Sequence, residues 1–357
     1  MNSRTWTIRE ILDWATKDFA GRGIESPRLD AELLVAKALG TDRVGLYLDL
    51  NRPLIDAERS SIRPLVARRR EREPVAYILG HRDFYGRRFK VTPDVLIPRP
   101  DTETLVDHAL ECIPKDAACR VLDVGTGSGA IAVSIAAERP LATVSATDIS
   151  EAALKVAADN AERLGVGDRI RFERADLLIG AGQYDVIVSN PPYIAKSDMS
   201  SLQAEVRDHE PPSALQAGDD GLDVIRALLS AAGPFTESGA QMLIEVGAGQ
   251  AASVVDLAST NEVWQRVAVY SDLNRIERVV HLRRILRSQS SKNSNTITSS
   301  SSKCASGCST PLEAPGVTGS KSLCTSGAPL ETRSLSAEGA STTKAKRAPT
   351  TPFTSTR

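Results

Sequence analysis

Cysteine is scarce in this chain of 357 residues: there are five, and three of them (Cys304, Cys308 and Cys324) fall in the C-terminal stretch. Cys304 and Cys308 have a zinc-like spacing, but no second pair or nearby histidine accompanies them, so no metal site is expected. Cys112 and Cys119 read as ordinary thiols, and no disulfide framework is expected. No run of about 20 apolar residues and no signal-peptide pattern is present. A cytoplasmic protein with no membrane partner is therefore expected. Net charge is also missing, at −1 overall, but the balance is uneven: +5 over residues 1–90, −12 over 91–286 and +6 over 287–357. An acidic middle segment is poorly suited to tracking phosphate backbones, so no stable nucleic-acid partner is expected. Beyond about Arg287 the core-forming residues disappear. Ser, Thr, Ala, Gly and Pro dominate there and Phe353 is the only aromatic. Residues 287–357 read as a disordered low-complexity tail that cannot offset its ordering entropy.

What the rest contains is periodic structure. Residues 1–80 read as a helical domain. Thr7 and Glu10 fit a capping box opening a helix with Ile8, Ile11, Leu12, Trp14 and Phe19 apolar. Ser26 and Pro27 start a second helix that Gly40 closes, with Leu29, Leu33, Leu34 and Leu39 as its expected buried side. A third helix is expected from near Asp42 to Asp49. A fourth runs from near Asp56 to before Pro74, and its arginines (Arg63, Arg68, Arg69, Arg70, Arg72) read as a solvated face. Residues 81–119 are a β-hairpin and linker. Two prolines in Ile97-Pro-Arg-Pro-Asp-Thr-Glu103 delay the next helix until Asp101 or Thr102 can cap it.

Residues 120–286 alternate strand and helix. Strands are expected at 120–125, 143–149, 170–177, 184–189, 240–247, 266–272 and 277–283, and helices at 129–138, 151–164, 222–233 and 249–259. This pattern predicts an α/β fold, a Rossmann-like, mostly parallel sheet with helices on both faces and an antiparallel last strand.

Two strand ends carry chemistry. Asp123-Val-Gly125-Thr126-Gly127-Ser128-Gly129 has the glycines that a strand-to-helix nucleotide loop needs. Asp148, ending the next strand, stands where an acid meets ribose hydroxyls. Gly125-x-Gly127-x-x-Ala130 also fits a dinucleotide fingerprint. An acid at 123 would repel a pyrophosphate, however, and suits the ammonium and sulfonium of S-adenosylmethionine. Asp176 ends the third strand, where it either accepts from the adenine amine or only caps a turn. The fourth strand ends in Asn190-Pro191-Pro192-Tyr193. The prolines stop the ladder and fix how Asn190 leaves the sheet. The Asn190 oxygen and the Pro191 carbonyl can grip the N–H bonds of a planar NH2 group, with the Tyr193 ring over one face. Together these features predict an S-adenosylmethionine-dependent methyltransferase acting on such a group.

The chain closely resembles the release-factor glutamine methyltransferases, the HemK/PrmC family, over about residues 5–285. The resemblance rests on Ser26-Pro-Arg-Leu-Asp-Ala-Glu-Leu-Leu, on 97–103, on Asp123 to Ile131, on Asn190 to Tyr193, on Glu210-Pro-Pro-Ser-Ala-Leu215 and on Gly221-Leu222. It implies that class I peptide chain release factors are the partners, methylated at the side-chain amide nitrogen (N5) of their Gly-Gly-Gln glutamine; separately, a monomer is expected. Because a glutamine pocket needs only one side chain, recognition must come from surface outside it, and residues 1–80 are the expected substrate-recognition domain. By motif, Gly125 to Gly129 and Asp148 would hold the cofactor, with Leu177 at a further contact position, and Asn190 to Tyr193 would hold the glutamine. Asn-Pro-Pro-Tyr alone is shared with adenine and cytosine amino-methyltransferases of nucleic acids, which is the alternative activity. A non-catalytic cofactor-binding module is a third reading.

Overall fold

The computed structural model describes residues 6–178 and 183–285, so the expected tail lies outside the described residues. Five helices open the chain: α1 (Ile8–Gly21), α2 (Pro27–Leu39), α3 (Arg43–Leu48), α4 (Asp56–Arg70) and the short α5 (Val75–Leu79). The capping box is formed at α1: the Glu10 amide donates to Thr7 Oγ1 at 3.3 Å and the Thr7 amide to Glu10 Oε2 at 2.9 Å. Ile8, Leu12 and Phe19 are buried from α1, whereas Trp14 stays exposed. Gly40 ends α2 in the left-handed region (φ 66°), where a Cβ would be strained.

Two expectations for this region are corrected. The buried side of α2 is not the leucine stripe: Leu29 is 41% exposed, while Asp30, Ala31, Glu32, Leu34, Val35 and Ala36 are buried. The two carboxylates can be inside because each has partners. Glu32 accepts from Arg28, Arg43 and Tyr47, and Asp30 pairs with Arg69 at 2.7 Å. Nor is the arginine run a solvated face throughout. Arg69 is 5% exposed and reaches Glu205 at 2.8 Å as well, and Arg72 meets the same carboxylate.

A hairpin, β1 (His81–Phe84) and β2 (Arg87–Lys90), leads through the proline-rich linker to α6 (Thr102–Cys112). Then follow β3 (Cys119–Val124), α7 (Ala130–Glu138), β4 (Ala142–Asp148), α8 (Glu151–Arg163), β5 (Ile170–Arg174) and β6 (Tyr184–Ser189). After them come α9 (Ala204–His209), α10 (Asp223–Ala231), β7 (Thr236–Glu245), α11 (Ala251–Thr260), β8 (Trp264–Ser271) and β9 (Glu277–Arg284). The sheet order is β5-β4-β3-β6-β7-β9-β8. Strands β3 to β7 are parallel, and β9 runs antiparallel to both β7 and β8. Strand β5 is shorter than expected: its ladder ends at Arg174, opposite Asp148, the last residue of β4, and Leu177 beyond it is in the left-handed region (φ 72°).

Alternation along β3 sends successive side chains to opposite faces. Val121 packs with residues of α6 and α7, and Leu122 with residues of α10 and α11. Each fully buried aliphatic side chain contributes about 1.5–3 kcal/mol. The strand order reverses between β3 and β6. A crevice must therefore open beyond their carboxyl ends, where ligands bind in open sheets of this kind.

Candidate active site

A cavity of about 240 Å³ fills that crevice. Gly125 and Gly127 after β3, Asp148 after β4, Asp176 and Leu177 after β5, and Asn190, Pro191 and Pro192 after β6 all line it. The linker closes one side through Asp94, Val95 and Leu96. It is pinned there by Glu210, which accepts from Arg99 Nη2 at 2.5 Å and from the Ile97 amide at 3.3 Å.

The glycine loop is held from beneath. Both Gly125 and Thr126 donate their amides to the Thr147 carbonyl at 2.9 Å. Asp148 accepts from the Gly127 amide and from the Ser150 amide, each at 2.9 Å, which ties the ends of β3 and β4 together. Gly129 must lack a side chain: its φ is 80° and a Cβ would come within 3.2 Å of the Ala157 backbone. Asp123, Thr126, Ser128 and Gly129 stand behind the wall rather than on it. Asp123 Oδ2 accepts from Thr126 Oγ1 at 2.7 Å and from the Ala132 amide at 3.1 Å, while its Oδ1 has no protein partner. Burial pushes the Asp123 carboxyl up to about 7, against the two hydrogen bonds.

Asn190 Nδ2 donates to Thr102 Oγ1 at 3.1 Å, which leaves the amide oxygen for the cavity. Thr102 is thus engaged by the Asn190 amide, and no side-chain cap bond is made at Asp101. Asp101 instead pairs with Arg278 at 3.0 Å. Beside Thr102 and Asn190 lies Glu245, at the carboxyl end of β7. Its carboxyl is buried and its Oε2 has no hydrogen-bond partner. Burial raises Glu245 to about 7, opposed by the neighbouring Thr102 and by Arg278. Neither Glu245 nor the use made of Thr102 was anticipated from the sequence. The available signal was a lone carboxylate closing the apolar run Met242-Leu243-Ile244 at the site end of the sheet. Tyr193 stands outside the lining. Its ring packs near Gly247, its carbonyl accepts from Gln250 Nε2 at 2.9 Å, and burial pushes its hydroxyl up to about 12.

Residues 10–80 match the PrmC N-terminal domain family and residues 102–218 the methyltransferase small domain family. A release factor glutamine methyltransferase of Geobacter sulfurreducens is 45% identical over 277 residues, covering 77% of this chain and 96% of its own. The chain belongs to the release factor glutamine methyltransferase family. Members from Rhodopirellula baltica (40% over 290 residues, 79% of this chain and 98% of theirs) and Cereibacter sphaeroides (42% over 275, 77% and 97%) are similar to it across the same extent. Within this chain, the matched segments include Thr102, the glycine loop and Asn190 to Tyr193, while Glu245 lies beyond both.

Proposed function

We propose that this enzyme transfers the methyl group of S-adenosylmethionine to the side-chain amide nitrogen (N5) of the Gly-Gly-Gln glutamine in class I peptide chain release factors. It acts in the cytoplasm, as a monomer and without a stable nucleic-acid partner. Residues 120–286 form its catalytic domain, residues 81–119 the hairpin and linker, and residues 1–80 its substrate-recognition domain. Among the described residues no helix is long and apolar enough to cross a membrane.

The residues fit the cofactor. Gly125 and Gly127 have nothing within 4 Å of where a Cβ would stand, so a ligand can approach their backbone closely. Asp148 stands on the wall with lone pairs left for ribose hydroxyls. Asp123 is buried behind the wall and does not itself line the cavity, so its part is to hold the glycine loop through Thr126. Asp176 and Leu177 line the part of the cavity assigned to the adenine. When bound, S-adenosylmethionine supplies an electrophilic methyl carbon on a sulfonium.

The observation that carries the substrate reading is the orientation of Asn190, whose Nδ2 donates to Thr102 Oγ1. An amide nitrogen is a poor nucleophile because its lone pair is delocalised into the carbonyl. The Asn190 oxygen and Pro191 carbonyl accept its two N–H bonds, leave electron density on nitrogen and hold it in line for attack. The nitrogen gains a methyl group and loses one proton to water.

The test is incubation of the full chain with labelled S-adenosylmethionine and either a purified class I release factor or DNA. The expected result is label in the release factor, located by peptide mass spectrometry to the Gly-Gly-Gln glutamine. Label in DNA alone, or cofactor binding with no transfer to either, overturns the proposal.

A further inference from the structure

We propose that the start of α6 is a positioning device for Asn190, anchored by Arg278 of the last strand: Thr102 holds the Asn190 amide, and the Asp101–Arg278 ion pair holds Thr102 in place. This rests on the reading of Asn190 as the acceptor for the substrate NH2 group.

Pro191 and Pro192 fix the backbone at Asn190, but not the rotation of its amide about χ2, which is a soft torsion in asparagine. That rotation is set by the bond from Nδ2 to Thr102 Oγ1 at 3.1 Å. Thr102 is buried and is the first residue of α6. Any displacement of the start of this helix is therefore passed to the group that faces the substrate.

The chain reaches Thr102 stiffly. Pro98 and Pro100 have locked φ, and Arg99 between them is tied to Glu210 at 2.5 Å. The amides of Thr102, Glu103 and Thr104 bond to the carbonyls of Arg99, Pro100 and Asp101 at 3.2, 3.0 and 3.1 Å. The backbone thus closes the first turn by itself. An Asp before a helix ordinarily caps it by accepting from an amide two or three positions on. Asp101 makes no such bond. Its Oδ2 pairs instead with Arg278 Nη2 at 3.0 Å. Both polar side chains at the helix start are given to partners distant in sequence, whereas residues serving the helix alone would keep the cap.

Arg278 is itself fixed independently of Asp101. Its Nε donates to Asp272 Oδ2 at 3.0 Å, and its carbonyl accepts from the Val246 amide at 2.8 Å. Asp272 is held in turn: its Oδ1 accepts from the amides of Asn274 and Ile276 at 2.8 and 3.0 Å. A guanidinium is a planar fork whose donors point in set directions. With Nε committed to Asp272, the direction of Nη2 is constrained, and Asp101 lies on it. The contacts run from Asp272 through Arg278, Asp101 and Thr102 to Asn190, from the last hairpin to the substrate-facing amide.

The experiment measures kcat and KM for release-factor methylation, cofactor affinity by calorimetry, and Tm. The full-chain variants are Asn190→Ala, Thr102→Val, Thr102→Ser, Asp101→Ala and the double Asp101→Ala with Thr102→Val. Thr102→Val is expected to lower kcat by about 10-fold or more, and Thr102→Ser to recover most of the loss. Asp101→Ala leaves the Asp272–Arg278 pair intact and should lower kcat by about 3- to 10-fold, with KM and cofactor Kd within about 2-fold. The double variant should be no more than about 2-fold slower than Thr102→Val, because the anchor acts through that hydroxyl. A merely structural role for Asp101 would make the double variant as slow as the product of the two losses, with Tm and cofactor binding falling alongside kcat. Should Asp101→Ala not fold, Asp101→Asn, which keeps the shape and loses the charge, takes its place. The inference is overturned if either single variant keeps kcat within about 2-fold of wild type, or if the two losses multiply, while Asn190→Ala is slow. If Asn190→Ala itself keeps full activity, the underlying reading of Asn190 fails instead.

Discussion

Asp123 is the residue whose charge the fold tolerates least. It is fully buried, has one oxygen unpartnered and is raised to about 7 from an ordinary 3.8. Between those values the native state holds a proton that the unfolded chain has released. Its contribution to stability is therefore full below about pH 4 and is lost as pH rises through about 7. Asp123→Asn removes that dependence, so the variant should gain stability relative to wild type as pH goes from 5 to 8. Urea denaturation of both proteins without cofactor at the two pH values checks this, and a constant difference contradicts it. At this scale the sequence was informative where function demands a particular local backbone. The glycines at 125, 127 and 129 and the prolines at 191 and 192 could be interpreted from their neighbours alone. Thr102 could not, because its role arises only when chain segments distant in sequence meet; it lies 88 positions from Asn190.

Among the elements, the segment after β6 is the one most constrained by its surroundings. Gly221 has φ 76°, and a Cβ there would stand 2.3 Å from the Tyr193 carbonyl oxygen. Gly221→Ala must push the Asn190–Tyr193 segment aside, in addition to about 1–3 kcal/mol of backbone strain. Displacement of about 1 Å at a reacting group costs up to roughly 100-fold in rate. We expect kcat to fall at least about 10-fold, with cofactor affinity within about 2-fold because the glycine loop is untouched. Methylation kinetics and calorimetry on the variant measure both, and a rate within about 2-fold of wild type contradicts the expectation. The strand and helix pattern of the sheet was legible because periodicity reports burial directly. The inner face of α2 was not, since paired Asp30 and Glu32 look like solvent-facing residues until Arg69, Arg28 and Arg43 are found beside them. Helix α9 has six residues and too little periodicity to stand out.

Across the whole molecule, Arg69 joins the helical region to the catalytic sheet's loops. It holds Asp30 of α2 and Glu205 of α9, 136 positions away, in one buried cluster. Arg69→Ala leaves two carboxylates without their shared cation, a change that costs about 3–5 kcal/mol. Arg68→Ala breaks a half-exposed pair with Glu73 and should cost about 1 kcal/mol or less. Urea denaturation of the two variants separates the cases, and equal midpoints would show that the cluster contributes no more than a surface pair. The overall α/β architecture followed from strand–helix alternation. The attachment of the helical region did not, because an arginine run gives no sign of which member is buried.

The place of β9 bears on how the chain is made. It lies between β7 and β8 and pairs Val279 with Glu245. It also carries Arg278, whose carbonyl accepts from the Val246 amide at 2.8 Å and whose guanidinium reaches Asp101. During synthesis, then, the edge of β7 is unpaired until residues 277–284 have left the ribosome. The glycine loop and Asn190 are in place earlier, but the pocket around Glu245 is finished only by the last strand to emerge. A nascent chain stopped at α11 would carry the loops of the site and an open sheet edge beside them.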